Sequence, residues 1–478
     1  MKSLTYGNFQ VGIVDNPSIE DKGGFEFASG MDIFSEPGVL KASYAMSEVA
    51  YTTGAAPTAV PLWMIDADSG GNTYAYIAAG SKILYSTNSS AFSVLLTNSK
   101  GVNKGLGIWN NYVMYAADGY VGRMQIAAGL ETNVDDYHTY GSPVTSDYYP
   151  IINQGGTLKI GAGRFVTSVD EVLSFFDEAL KLPVNYYILS LVEHFNNVFA
   201  GTKSQSGAGT ALISGASAFS WDGIVLSTGS ALPGTSYPIN MRGLPALFSD
   251  GKYLYAFPDR RGDILIFDGA KFVPFRKLVY IANKGDLVVN PGAVTPYLDT
   301  VLFAGNTNIV PGVFQMRGNA ICQAFVPAGA TPGVDSSINI GFVRTAFDGT
   351  VYIGYAKSSD SSYHIEKAGS NRQNNAVVRT LWHRGGTDKK KRWGGVKLNL
   401  KPLAANTAVK VEYRTERDAA FTDPGISITS ANQDKPAIFS AQPRSREIQY
   451  RFTYTTSTTN TPELLSYDPL YEVLKTSQ

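Results

Sequence analysis

Seven times along the chain a two-residue turn precedes an apolar or aromatic strand that ends in small residues. The phrase appears at Asn72-Thr73 before Tyr74–Gly80, at Asn110-Asn111 before Tyr112–Ala117, and at Gly163-Arg164 before Phe165–Ser168. It returns at Asn196-Asn197 before Val198–Gly201, Asp250-Gly251 before Lys252–Ala256, Asp299-Thr300 before Val301–Gly305, and Asp348-Gly349 before Thr350–Tyr355. The mean interval is about 46 residues, within the spacing of four-stranded propeller blades. Five Asp-Gly pairs (118–119, 222–223, 250–251, 268–269 and 348–349) add hairpin signals. They are expected to be type I′ turns, in which both central residues take positive φ.

Each unit has a second half. Ile83–Ser86 leads to Phe92, Leu212–Ser214 leads to Phe219, and Ile264–Phe267 runs through Asp268-Gly269 to Phe272. A strand, a turn and an aromatic-led strand complete an up-and-down sheet of four. Burial of both faces against neighbouring blades explains apolar runs where strict alternation would otherwise be expected. The count reads as seven blades, with six or eight as alternatives. Near Asp170–Leu180 the residues Val172, Phe176, Ala179 and Leu180 also fit helical spacing. The repeat frame favours an inner-blade strand over Val172–Phe175.

After the polar stretch Ser370–Asn375 the phrase disappears. Val396–Leu400 and Val409–Tyr413 alternate apolar and polar residues, the period of strands with one wet face. Six such segments between Val377 and Val473 suit a small β-sandwich. The expected fold is therefore all-β, with a seven-bladed β-propeller followed by a C-terminal β-sandwich. The expected boundaries are an N-terminal arm or closing strands over 1–60, the propeller over 61–370 and the sandwich over 371–478. A chain of 478 residues exceeds what one core supports, and repeats that pack only on their neighbours remove that limit.

Composition narrows the function classes. Forty basic and forty acidic residues cancel, so no global charge draws nucleic acid or an anionic membrane. A single cysteine, Cys322, excludes an intramolecular disulfide and a multi-cysteine metal site. The N-terminus carries no apolar signal-peptide segment and no apolar run reaches transmembrane length, so a soluble product without membrane insertion is expected.

The sequence contains no nucleophile elbow, no zinc-protease helix, no phosphate loop and no dinucleotide fingerprint. The expectation is a non-enzyme with no catalytic, cofactor-binding or metal-binding residues and no cofactor. His138, His194, His364 and His383 are scattered and read as turn or surface residues. Asp135-Asp136, and Glu171 with Asp177, offer the carboxylates a glycosidase needs, and read as solvated loops. Ser249-Asp250-Gly251 lacks the spacing and the Trp of a sialidase box. Arg261-Gly262-Asp263 reads as an ordinary hairpin. Lys389–Trp393 is basic with an adjacent aromatic and reads as a solvated loop, with contact to an acidic partner or nucleic acid as the alternative. Tyr137, Tyr140, Tyr148 and Tyr149 suit either an interface or the capping of the propeller's own edges.

Gly23–Ile33 followed by Ser35–Leu40 resembles the N-terminal segment of bacteriophage structural propeller proteins of the tail, nozzle or hub. Ile448–Phe452 and Thr461–Leu465 are similar to the β-domains appended to them. The resemblance implies a virion protein of the tail, assembled in the host cytoplasm, forming a homo-oligomeric ring or trimer with other tail proteins. Nucleic acid would be met at most transiently in a channel. The alternatives are a carbohydrate-binding, receptor-recognising tail protein that contacts a host surface glycan, and a glycan-hydrolysing propeller enzyme.

Overall fold

The computed structural model describes residues 2–14, 23–126, 134–141, 145–204, 215–227, 233–259, 262–278, 287–307 and 310–474. Its strands form an all-β, seven-bladed propeller followed by a β-sandwich. The first blade is Pro61–Ser69, Asn72–Ala79, Lys82–Thr87 and Ser93–Thr97, each strand antiparallel to the next. The second spans 105–139, the third 151–181, the fourth 186–238, the fifth 246–277 and the sixth 288–325. The seventh takes Ile338–Thr345, Val351–Lys357 and Ser362–Arg372 from its own stretch of chain. Its outer strand is Tyr44–Glu48, paired antiparallel with Ser362–Arg372, so the N-terminal region closes the ring.

Packing between blades explains the sequence runs. Leu158, Ile160 and Ala162 pack with Met114 and Ala116 of the second blade. Val166 and Leu180 share another cluster with Ile188, Val198 and Trp221 of the fourth. Both faces of this blade's second and third strands are thus dry, and alternation is lost there.

The inner-hairpin turn of the third blade is Gly155-Gly156, between Gln154 and Thr157. The expected Gly163-Arg164 turn instead joins that blade's second and third strands. Glycines at φ 57° and 74° form the inner turn, and the polar Gln154 and Thr157 beside it mask the phrase. Val172 and Leu173 are not in an inner strand but in a turn, and Phe175–Lys181 is the blade's outer strand. Asp170 Oδ1 accepts the Val172 and Ser174 amides and fixes that turn. Leu212–Ser214 lies outside the described residues, whereas Phe219 sits in the strand Ser217–Trp221.

The Asp-Gly turns also differ from the expected type. Only their glycines take positive φ. Asp250 Oδ1 accepts the amides of Lys252 and Tyr253, and Asp268 Oδ1 those of Ala270 and Lys271. These are Asx turns in four-residue loops. Among the inner hairpins, two successive positive φ values belong to Gly70-Gly71, Asn110-Asn111, Gly155-Gly156 and Phe195-Asn196.

The sandwich is built from both ends of the chain. One sheet runs Ala437–Ile438, Lys391–Leu400, Glu463–Val473, Leu40–Ala42 and Met31–Asp32, with Tyr6–Gly7 also on Glu463–Val473. The other orders Thr422–Ile428, Ala408–Thr415, Ile448–Thr455, Ala376–Thr380 and Gly24–Ser29. That sheet continues through Gly12–Ile13 to Ala320–Phe325, the outer strand of the sixth blade. Residues 1–60, expected as an arm or as closing strands, therefore divide: Tyr44–Glu48 is the strand that closes the propeller, and strands between Tyr6 and Ala42 join the sandwich sheets. The polar stretch 370–375 ends one strand and turns within three residues into Ala376–Thr380. Gln373 N donates to Ser43 O and Asn375 N to Tyr454 O, so it is tied to both parts.

Candidate functional site

In an up-and-down blade, the turn between strands one and two and the turn between strands three and four leave from the same face. At that face, between the third and fourth blades, lies a cavity of about 300 Å³. Gln154, Gly155 and Thr157 approach from the inner turn of the third blade, and Ser168, Asp170 and Phe176 from its outer hairpin. Gly223, Ile224 and Leu226 come from the outer hairpin of the fourth. Gly223 has φ 80°, and a Cβ there would strike the Gln154 amide, so glycine is required for the two loops to meet.

Lys159 stands in the wall of this cavity with 1% of its surface exposed. Its Nζ donates to Ser168 Oγ at 2.8 Å and to Gly223 O at 2.7 Å, and lies 4.8 Å from the Trp221 ring centre. No carboxylate is within ion-pair distance of it among the described residues. Burial pushes its pKa down to about 8, with the Asp222 charge opposing. An unfolded lysine stays protonated to well above that value. The folded state therefore carries a penalty, fully present below pH 8 and relieved as pH rises toward 10.5, on the order of 3 kcal/mol.

The register shows how unusual this residue is. Lys159 is the third residue of its strand after the inner turn, paired with Ile152. Counting from the first paired residue, the same place holds Tyr74, Met114, Phe199, Ala256, Leu302 and Ile353 in the other blades. Six blades use an apolar or aromatic side chain, and one uses a cation with only neutral acceptors. The sequence contained this signal, since a Lys interrupts the run Leu158-Lys159-Ile160. Its meaning depends on where the inner turn lies, which the polar Gln154 and Thr157 beside Gly155-Gly156 obscure.

The residues singled out in the sequence are distributed differently. His194 and His383 are buried, not at turns or on the surface. His194 Nδ1 meets Ser249 Oγ at 2.9 Å, and His383 Nε2 meets Thr380 Oγ1 at 3.1 Å. His138 lies on a strand, stacks on Phe175 and pairs with Asp177 at 2.6 Å. His364 is on a strand between Ser362 Oγ at 2.7 Å and Glu48 Oε1 at 3.2 Å. That trio has the order of a catalytic triad, yet Asp360 Oδ1 also takes the Ser362 hydroxyl, at 2.5 Å. A carboxylate beside the oxygen opposes build-up of negative charge there, and no cavity opens beside it among the sites described.

Asp135 accepts from Ser99 and Tyr115, while Asp136 pairs with Lys100, so these carboxylates join the first and second blades. Glu171 offers its backbone oxygen to Asn110. Among the described residues no three His, Cys, Asp or Glu side chains converge as metal ligands would. Cys322 is buried, its Sγ 3.1 Å from Met31 O.

Lys389–Trp393 is not a solvated loop throughout. Lys391 and Trp393 point inward from the start of Lys391–Leu400, with Lys391 Nζ on Lys389 O and Arg446 O and Trp393 Nε1 on Ser445 Oγ. Tyr140 and Tyr149 are buried, and Tyr137 holds Arg123 over its ring. Gly262 and Asp263 lie at a strand start, and Arg261 is outside the described residues.

Exposed apolar side chains gather on the face that carries the cavity. Phe195 is 70% exposed, Leu298 85% and Phe347 61%, all at inner-hairpin turns of the fourth, sixth and seventh blades. Val172, Phe176, Ile224, Val225 and Leu226 extend the patch around the outer hairpins.

No protein-family model and no curated protein matches the chain. Among solved structures it is similar to the extracellular domain of BT4673 from B. thetaiotaomicron, with TM-score 0.47, 12% identity, and coverage of 74% of this chain and 43% of that one. It thus spans less than half the length of that protein. A chain of the Mitotic Checkpoint Complex gives TM-score 0.45 and 10% identity over 68% of this chain and 91% of its own. The calcium-binding protein regucalcin from Agrobacterium tumefaciens gives 0.37 and 11% over 56% and 89%.

Proposed function

We propose that the chain is a structural protein of a bacteriophage tail that works by assembling with copies of itself and with other tail proteins. The observation that carries this reading is the concentration of exposed apolar side chains at the turn face, where Phe195, Leu298 and Phe347 sit, against the fewer, smaller Val102, Val184 and Val334 on the connections at the opposite face. Phe195 and Leu298 hold positive φ, 46° and 52°, where the corresponding turns of other blades have Gly70, Asn110 and Gly155. Bulky apolar residues are disfavoured there both by backbone sterics and by water. A partner surface that covers them supplies the compensating burial, as aromatic and aliphatic anchors do at interface centres. The resemblance of the two chain ends to phage tail propellers supplies the setting.

The interleaved sandwich suits a load-bearing role. Its second sheet runs without a break into the sixth blade, so force applied to one part is carried by backbone hydrogen bonds into the other. Native mass measurement of the concentrated protein, with peptide mapping of purified particles, tests the proposal. Oligomers and particle-derived peptides are expected. A strict monomer, absent from particles and turning over a glycan, overturns it.

A further inference from the structure

We propose that the cavity between the third and fourth blades binds a small carboxylate-bearing ligand, whose ring or hydrocarbon part packs on Phe176, Ile224 and Leu226. This stands independently of the tail assignment.

Lys159 is a buried cation whose oxygen partners, Ser168 Oγ and Gly223 O, are neutral. The two nearby aspartates are committed to their own loops. Asp170 Oδ1 accepts from Val172 N and Ser174 N, and Asp222 Oδ1 from Ile224 N and Val225 N. Buried charges are normally paired, and the cavity that Lys159 lines offers a counter-charge a way in. One ammonium balances one negative charge. A dianion would leave a surplus in an apolar-walled space beside Asp170, and inorganic phosphate even as its monoanion has no hydrocarbon part for the apolar wall, so a monoanionic organic carboxylate fits better.

Size and lining agree with an organic acid. About 300 Å³ is at the lower end of small-molecule pockets. Apolar side chains on one wall and a few polar groups on the other are the usual division between affinity and orientation. Gln154 Nε2 is spent on Asn196 O and Asp222 O, which holds the amide in place and turns its oxygen toward the Gly223 loop that lines the cavity. Thr157 Oγ1 donates to Gln154 O and keeps its acceptor capacity. Ligand hydroxyls would find acceptors at these positions.

Titration calorimetry of the full chain with benzoate, glucuronate, neutral benzyl alcohol and inorganic phosphate tests this. Saturable binding of benzoate or glucuronate, without binding of benzyl alcohol, is expected. The stronger of the two acids distinguishes a hydrocarbon acid from a sugar acid. Lys159→Met, which installs the residue found at the matching place in the second blade, should abolish the binding. Should that variant fail to fold, Leu226→Glu on the exposed rim should weaken binding by about tenfold or more through like-charge repulsion. The proposal is overturned if neither acid binds up to its solubility limit, if phosphate binds at least as tightly as both, or if Lys159→Met or Leu226→Glu binds them unchanged.

Discussion

Each of the first six blades draws its four strands from one continuous stretch of chain, whereas the sandwich draws its strands from both ends. In the propeller, neighbours in sequence are neighbours in space, and only Tyr44–Glu48 travels far to complete a sheet. In the sandwich, Phe25, Phe27, Met31 and Leu40 share a buried core with Trp393, Val409, Tyr450 and Phe452. The propeller strands form by short loop closures that are entropically cheap, and the sandwich requires closing nearly the whole chain. The sandwich is therefore the part whose formation depends on the rest being in place, and it locks the N-terminus against the sixth blade.

Removing residues 1–43 should break that dependence outright and give the largest effect. Every propeller strand is retained, while Ala376–Thr380 loses its partner Gly24–Ser29 and Glu463–Val473 loses Leu40–Ala42. Calorimetry should show the sandwich transition gone and the propeller transition kept, with protease cleavage confined to residues beyond 376. Two intact transitions would mean that the N-terminal strands decorate the sandwich rather than complete it. Within the same comparison, Phe27→Ala, at a fully buried site, should destabilise the sandwich by about 3–5 kcal/mol.

Acid should separate the two parts more gently. His383 is enclosed by Tyr6, Tyr450 and Tyr467, and burial pushes its pKa down to about 3. The folded ring stays neutral while the unfolded ring takes up a proton near pH 6.5. Stability is then complete above pH 6.5 and is lost as pH falls toward 3, by on the order of a few kcal/mol. The propeller has His194, whose pKa is lowered by burial with the Asp250 charge opposing, so its share runs in the same direction. Its carboxylates Asp268 and Asp299 are lowered by hydrogen bonds from the Ala270 amide and from Arg317, and lose their contribution only at more acidic pH. Denaturant melts at pH 4.5 and 7 should show the sandwich losing more than the propeller. His383→Asn should flatten the sandwich's dependence, and an equal loss in both parts would remove His383 from the account.

The two regions also differ in how openly the sequence displayed them. Six of the seven turn positions of the repeat lie in or beside the structure's inner hairpins, because Asn, Asp and Gly are chosen there by local backbone geometry. The third blade was misread because Gly155-Gly156 is flanked by polar Gln154 and Thr157, while Gly163-Arg164 precedes a recognisable apolar run. The C-terminal strands alternate openly because one face is wet. Their pairing with Gly24–Ser29 left no local trace, since a buried strand such as Gly24-Phe25-Glu26-Phe27 records that it is covered and not by what. Lys159 was visible as a residue, and its meaning depended on a strand register that only the three-dimensional pairing supplies. The tyrosines of 137–149 were plausible contact residues by type, but the blades use them internally, and the exposed apolar groups sit at turn tips where residue type alone predicts Gly or Asn.

The smallest effect bears on those tips and sharpens the contrast between the propeller's two faces. Phe195 and Leu298 occupy left-handed backbone, a conformation that costs most L-residues about 1 kcal/mol or more and that Asn tolerates better. If they are there only for the fold, Phe195→Asn and Leu298→Asn should leave self-association unchanged, whatever they do to stability. If they are there for contact, each substitution should raise monomer stability, by about 1 kcal/mol or less, while weakening self-association. Val184, 71% exposed on the connection between the third and fourth blades, lies at the opposite face and provides the control. Val184→Asn should leave association unchanged. Sedimentation velocity across a concentration series reads the association, and thermal melts of the dilute protein read the stability. Opposite signs in the two measurements for Phe195 and Leu298, with no change for Val184, would assign the contact to the turn face. Equal behaviour at all three positions would leave exposed apolar turns as a property of the fold and withdraw the main support for assembly through this face.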